Sequence, residues 1–435
     1  MRETEHTTLD SEQLIEHMLE LLRERDDIDH DELHQDADLL LDIGLDSIGI
    51  MQLLAALENR WQIVIPTRAL NKNEYSTLAN LAQAIGADQA QPERPQQTST
   101  EGINEPELDI KVHCLVSCLC EPFRKNPDVD HRPFYFAVPD AEVFIDSDDR
   151  LTYHHPRVNH PFLIQAFENL YRVPVTPWFD PATTTDNNLR SLSQLLDSPK
   201  PDHTILVMLD MYQLPERENR FSQNPFPHYV MLEATEAADT LFMWDPDFRW
   251  EGPLNRQRVL NAVAQPCVNG GYLADYSQLR QPENEAIAAW FQMCFFPDDN
   301  PMTRKAREVI HRHQATNRLP QLPDALRQLP VLAIRKYGYE HGLAFFWREL
   351  KLVDAEFEHW CEDIEQLVRG YEKILYLATR YSQTPGTSTE QELMNQLDDQ
   401  HRLEFGIKNA LHQCFKHWCT VNGITTETPA MEGAA

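Results

Sequence analysis

The sequence predicts a multidomain chain: a small all-α bundle, then an α+β region, then an α-helical region. Three observations predict this. Apolar residues recur at three- and four-residue spacing near the N-terminus. That periodicity vanishes over residues 87–104, where Gln, Pro, Ser and Thr dominate. Short β-like runs follow to about residue 280, and helical spacing then resumes. With 435 residues the chain has room for two or three domains. The boundaries read as a bundle over 1–86, a linker over 87–107, an α+β domain over 108–283, a helical domain over 284–421 and a disordered tail over 422–435.

The elements follow in order. Leu14, Ile15, Met18, Leu21 and Leu22 share one face of a helix over 11–24, and Asp10 or Ser11 can cap it. An acidic loop spans 26–38. A second helix starts at Asp46 or Ser47 and runs to about Trp61. The apolar run Ile63-Val64-Ile65 is stopped by Pro66, and a last helix covers Thr77 to Ile85. The composition of the linker is that of a flexible tether. Beyond it a helix begins at Cys114. β-like runs are Phe134–Val138, Phe162–Leu163, Thr204–Leu209, His228–Leu232 and Thr240–Trp244. From 284, helices dominate: Phe357, Trp360, Ile364, Leu367, Val368, Tyr371, Leu375 and Ala378 form one apolar stripe, and a final helix spans Thr389 to Trp418.

The formal net charge of −31 argues against nucleic acid as a partner, since phosphates would be repelled. Residues 1–86 carry 18 Asp and Glu against 6 Lys and Arg, which suits docking onto basic partner surfaces. The start, Met1 to His6, has no apolar core, and no stretch reaches 18 consecutive apolar residues. The expectation is a soluble cytoplasmic protein without signal peptide or membrane span. Eight irregularly spaced cysteines do not form a disulfide framework and are expected as thiols. His113, Cys114, Cys118 and Cys120 fit no common zinc spacing, and on a helix they diverge, so no metal is expected.

Asp42-Ile43-Gly44-Leu45-Asp46-Ser47-Ile48 places a serine at the first turn of a helix, where the helix N-terminus favours an incoming phosphate. Asp46 is the expected cap, and Gly44 allows a tight approach before the helix. The stretch resembles the acyl carrier protein signature, Asp/Glu-x-Gly-x-Asp-Ser-Leu/Ile. The resemblance covers nearly all of 9–86, including the Ile63-Val64-Ile65-Pro66 turn and the Thr77-Leu78 helix start. It implies an all-α four-helix carrier bundle, Ser47 as attachment point of covalent 4'-phosphopantetheine, and Asp46 helping to bind metal-bound coenzyme A during loading. Implied partners are a phosphopantetheinyl transferase and an acyl- or aminoacyl-loading enzyme. Gly49 and Gln52 depart from the pattern, the latter replacing an acid often found there.

Three further residues have the chemistry of an activated thiol: Cys114, His228 and Asp245. A thiol at a helix start is favoured as thiolate. His228 opens one β-like run and Asp245 ends the next, so adjacent antiparallel strands would set them side by side. A base must take the thiol proton and a carboxylate must orient the imidazole. The order resembles papain-like folds, in particular the C39-like peptidases. Closer still is the butirosin biosynthesis protein H-like family, through His113-Cys114, Ile205 to Tyr212, His228-Tyr229-Val230 and Trp244-Asp245-Pro246. C39-like peptidases carry a Gln before the Cys as an oxyanion donor; residues 107–112 contain none, which makes peptidase activity a poorer fit. Cys118, one turn on, reads as core. His113, Asp210 and Tyr212 are candidates for a substrate pocket. Tyr153-His154-His155 and His160 read as a Pro-rich loop, solvated or facing substrate. The helical region after 284 shows no catalytic motif.

These resemblances imply a carrier-dependent acyltransferase of specialised metabolism. An acyl thioester on Ser47 would pass through a Cys114 acyl-enzyme to a small-molecule amine, or a hydroxyl. Two other classes stay open: a thioesterase or cysteine peptidase-like hydrolase with the same triad, and a non-catalytic carrier-bearing docking protein of an assembly line.

Overall fold

A computed structural model describes residues 10–25, 28, 33–39, 42–45, 47–61, 63, 65, 76–89, 113–217 and 223–425. The N-terminal unit has three helices among the described residues: α1 (Ser11–Arg23), α2 (Ser47–Trp61) and α3 (Leu78–Gln89). Asp10 caps α1 through a capping box: its carboxylate accepts from Gln13 N at 2.8 Å, and Gln13 Oε1 accepts from Asp10 N at 3.2 Å. Leu14, Met18 and Leu22 meet Ile50, Leu53, Leu54 and Leu57 of α2 and Leu78, Leu81, Ala82 and Ile85 of α3 in one core. The last helix runs past the expected end at Ile85 to Gln89. The rest of the linker through 107, Asp46 and the tail from 426 lie outside the described residues.

The middle region is built on a six-stranded, fully antiparallel sheet. Its strands are β3 (Val175–Pro177), β4 (His203–Asp210), β5 (Pro227–Ala234), β6 (Thr240–Asp245), β7 (Trp250–Asn255) and β8 (Gly271–Asp275), in the order β3-β8-β4-β5-β6-β7. A separate hairpin pairs β1 (Phe144–Ile145) with β2 (Leu151–Thr152). Helices α4 (Cys114–Cys120), α5 (His160–Tyr171), α6 (Thr185–Asp197) and α7 (Arg256–Val263) complete it. Strand alternation sends side chains to two cores. Leu206, Met208, Tyr229 and Met231 face the main core with α4 and α5. Val207, Leu209, Val230, Leu232 and Met243 face α6 and α7, against Leu192, Leu196, Val259 and Ala262.

Two expected strands are helical. Of the Phe134–Val138 run, residues 134–137 lie in a 3-10 helix, Arg132–Ala137, which Val138 caps, with Pro133 in its first turn and Phe134, Tyr135 and Phe136 all buried. A short run buried on every side has no periodicity to separate strand from helix. Phe162 and Leu163 lie in α5, where Asn159 caps by accepting from Phe162 N at 3.1 Å and Pro161 sits in the first turn.

The C-terminal region is helical as expected: α8 (Asn284–Cys294), α9 (Pro301–Ala315), α10 (Leu322–Ala325), α11 (Leu329–Ala333), α12 (Gly338–Leu350), α13 (Asp354–Gln383) and α14 (Thr387–Val421). The final helix is longer than the expected Thr389–Trp418 at both ends. This region shares the main core with the sheet region: Phe136 stacks on Phe346 at 5.6 Å, and Phe134 on Trp290 at 6.1 Å. A buried polar network crosses the same boundary. Lys336 Nζ donates to Glu404 at 2.5 Å and to Pro139 O at 2.6 Å; Tyr339 bonds Asp140 and Glu404; Lys408 pairs with Asp140 at 2.7 Å.

Candidate active site

Cys114 is the first residue of α4, behind the extended N-cap His113. The helix is pinned to the sheet one turn later: the Cys118 thiol donates to Tyr229 O at 3.5 Å, and Ser117 Oγ donates to Asp247 at 3.1 Å. Cys118 is fully buried, and burial pushes its thiol well up, so it is core as expected. Cys114 is only half-buried and opens into a cleft of ≈ 60 Å³.

His228 lies at the start of β5, on the cleft wall. Asp245 ends β6 and is buried. The β5–β6 register pairs Met231 with Trp244, so His228 and Asp245 are diagonal neighbours rather than a direct cross-strand pair. Asp245 Oδ1 nevertheless accepts from His228 Nε2 at 2.9 Å. Cys114 and His228 line the same cleft, and the thiol is among the groups that raise the pKa of the imidazole. The triad residues read from sequence are therefore brought together in space.

The electrostatics follow from burial and pairing. Burial works to lower the His228 pKa, but Asp245 and Cys114 outweigh it and hold the imidazole well above its usual range. Burial likewise works to raise Asp245, yet His228 and Arg217 bring it below the usual carboxylate range. Arg217 Nη2 donates to Asp245 Oδ2 at 2.7 Å while its guanidinium lies over Trp250, 4.2 Å from the ring centre. Phe248 N adds a third donor at 3.2 Å. Asp245 is thus held from three sides, and Arg217 is a participant that the sequence did not mark: it comes from a turn between β4 and β5 with no motif around it.

His113 lines the cleft as expected, and its buried Nδ1 has no hydrogen-bond partner among the described residues. Asp210 and Tyr212 do not line it. Asp210 accepts from Phe226 N at 2.8 Å and Tyr212 N at 3.2 Å, so its carboxylate is occupied with closing the β4–β5 connection. Tyr212 points away and is 52% exposed. His154 and His160 do face the cleft, whereas His155 stacks on Phe144 at 4.8 Å. His160 belongs to α5, not to a loop, and burial, with His154 and Arg335 nearby, lowers it to about 4.

The helical region also reaches the cleft. Val331, Ile334 and Arg335 line it. Arg335 is 8% exposed, and burial lowers its guanidinium to about 10 against the opposing influence of Cys114. Its Nη2 donates to Tyr153 O at 3.3 Å. Among the described residues no carboxylate pairs with it. Gln328 Oε1, just before α11, accepts from Tyr153 N at 2.8 Å, and Tyr153 donates to Pro227 O at 3.2 Å, fixing this wall. No local pattern in the sequence marks Arg335; only the fold brings it to Cys114.

At the carrier end, Ser47 opens α2; its side chain, like Asp46, lies outside what the structure describes. Gly44 has φ +76°, and a Cβ there would meet nothing within 4 Å. The left-handed backbone there is one that glycine adopts without a Cβ penalty.

Comparison with known proteins fixes the class. Residues 16–85 match the phosphopantetheine attachment site family, and 84 residues are 33% identical to an acyl carrier protein of Streptomyces coelicolor, covering 19% of this chain and 91% of that one. The N-terminal unit is a carrier domain for covalent 4'-phosphopantetheine, joined to a larger sheet-and-helix body. That body matches the DUF6005 N-terminal domain over 109–279 and the DUF6005 C-terminal domain over 285–432. Over 312 residues the chain is 38% identical to petrobactin synthase of Bacillus anthracis, covering 71% of this chain and 95% of that protein. The chain belongs to the family of that synthase. Among the described residues no helix is long and apolar enough to cross a membrane.

Proposed function

We propose that the chain is an acyltransferase with a papain-like arrangement of Cys114, His228 and Asp245, served by its own carrier through Ser47. One observation carries this reading: a half-buried thiol shares an open cleft with an imidazole whose Nε2 is held at 2.9 Å by a buried carboxylate. The arm fits at Ser47, because that residue opens α2 after the left-handed turn at Gly44. When bound and loaded, the arm supplies an acyl thioester. Cys114 would take the acyl group from that thioester with its proton held on His228, which would pass the proton to the leaving thiol sulfur as the carbon–sulfur bond breaks. An amine then attacks acyl-Cys114, an amide bond forms, and His228 carries the amine proton to the cysteine sulfur. Asp245 holds the ring and stabilises its charged form. The backbone N–H of Cys114 and the Arg335 cation, which lines the same cleft, would stabilise oxyanion charge. The relative's name, a synthase, favours a bond-forming acceptor over water.

Intact-mass analysis of the loaded chain tests the assignment. Ser47→Ala should take up no arm. Cys114→Ala should keep the acyl group on Ser47 and form no product, and His228→Ala should turn over slowly. Free acid released without amine is the hydrolase outcome. Product formed at the wild-type rate by Cys114→Ala would sink both enzymatic readings.

A further inference from the structure

α2 has two working faces. Ile50, Leu53, Leu54 and Leu57 point into the carrier's own core. Ile48, Met51, Gln52, Ala55 and Glu58, at spacings of three and four, form a second face. That face is not left to solvent. Ile48 is 5% exposed and belongs to the core of the synthase body; Met51 packs against the same core. In return Tyr376 of α13 packs against the carrier's core. Polar contacts frame the seam. Tyr376 donates its hydroxyl to Glu58 Oε2 at 2.5 Å, Arg380 Nη1 lies 3.5 Å from Glu58 Oε1, and Gln383 Nε2 donates to Gln52 O at 3.2 Å.

From this seam we infer that α13 is the docking surface for the chain's own carrier, read by Glu58 through Tyr376 and Arg380 and by the apolar pair Ile48 and Met51. The inference rests on the acyl-transfer reading and adds its route: delivery in cis. α13 also packs against α11 and the turn carrying Arg335, so one helix touches both the carrier and the wall of the cleft. Ser47 directly precedes Ile48, which places the attachment position at the edge of the docked face. A small, partly polar seam suffices because carrier and surface are one chain, and tethering raises their effective concentration to on the order of mM. It also needs to release, since the carrier must be reloaded, and a single acid read by one phenol and one guanidinium is a contact that can open. The acidic carrier does not need a broadly basic partner surface for this: Arg380 is shared between Glu58 and Glu392 (3.1 Å).

The test is single-turnover acylation of Cys114 in the full chain, with two donors: the loaded arm on Ser47, and a free acyl-pantetheine thioester added in solution. Glu58→Arg sets two cations against each other and should slow acylation from the arm at least tenfold, by like-charge repulsion across the seam, with no change for the free thioester. Glu58→Arg with Arg380→Glu should recover most of the loss. An unchanged rate from the arm in Glu58→Arg overturns docking on α13; so does equal loss with both donors, or failure of the paired exchange to recover. Amide hydrogen exchange over residues 373–383 reads the seam without any chemistry. Faster exchange in Glu58→Arg than in wild type is expected, and equal exchange refutes the contact. If wild-type Cys114 accepts from neither donor, the acyl-transfer reading fails by itself while the exchange result still decides the docking.

Discussion

Replacing Asp245 with Asn preserves shape and removes charge. Asp245 is buried and accepts three hydrogen bonds, from His228 Nε2, Arg217 Nη2 and Phe248 N. An amide has one acceptor oxygen. If it faces His228, its NH2 group confronts the Arg217 guanidinium, donor against donor; if it flips, His228 loses its anchor. The lost charge matters more. A unit pair about 4 Å apart at an effective dielectric of about 20 interacts by about 4 kcal/mol. Without that charge the pKa of His228 falls, because burial is no longer outweighed. Transfer should slow by about 10²- to 10³-fold, the upper figure corresponding to about 4 kcal/mol on the barrier. The sign on stability can be worked out too. His228, raised above 6.5, contributes stability that is full below that value and is lost as pH rises through its folded pKa. Asp245, lowered below 3.8, contributes above that value and loses it as pH falls through its depressed pKa. Asp245→Asn should therefore flatten the thermal-stability profile at both edges and lower the melting temperature between them. The assays are single-turnover acylation by intact mass, a ring-nitrogen NMR titration of His228, and melting curves against pH. A transfer rate within threefold of wild type (about 0.7 kcal/mol) would refute the role assigned to Asp245.

Other expectations separate chemistry from support. Arg335→Met should lower Cys114 acylation by about 100-fold, the scale of losing one oxyanion donor, yet leave or raise the melting temperature, because an unpaired buried charge is relieved; retained activity in the acylation assay argues against that role. Asp210→Ala should behave oppositely, destabilising by about 1–3 kcal/mol through orphaned backbone N–H groups, with the rate per folded molecule unchanged; urea midpoints and active-site titration read the two effects. Glu404→Gln leaves buried Lys336 with a neutral partner and should cost about 3–5 kcal/mol, seen as a single cooperative shift of both halves of the body in denaturant.

The sequence made legible what depends on local chemistry. The Asp10 cap, the start of α2 at Ser47 and the start of α4 at Cys114 all follow from residue type and spacing, and the structure has them there. Strands β4, β5 and β6 were visible as apolar runs bounded by turns, so His228 and Asp245 could be paired before any coordinates. What was not legible depends on long-range packing. The Phe134–Val138 run is helical because neighbours bury it on all sides. Asp210 looked available at a strand end, but the Phe226 N–H that occupies it arrives from 16 residues away. Arg217 and Arg335 sit in no motif, and each acquires its role only through the tertiary placement of a loop or helix beside the triad.

Arg335 also bears on how the body should be divided. A boundary near 283 is natural in sequence, since the β-like runs end there. Function does not respect it. The thiol and its base come from the sheet side, while the cation beside them comes from the helical side. Lys336, the next residue, is locked by Glu404 of α14 and by Pro139 of the sheet region. Gln328 holds Tyr153 over the cleft from the same segment. The cleft wall is therefore set by groups whose positions require both regions to be folded together around one core. A charge buried without a carboxylate partner is costly to hold. Arg335, beside a half-buried thiol, makes the helical region part of the cleft wall itself, and the Arg335→Met variant reads whether it also takes part in the chemistry.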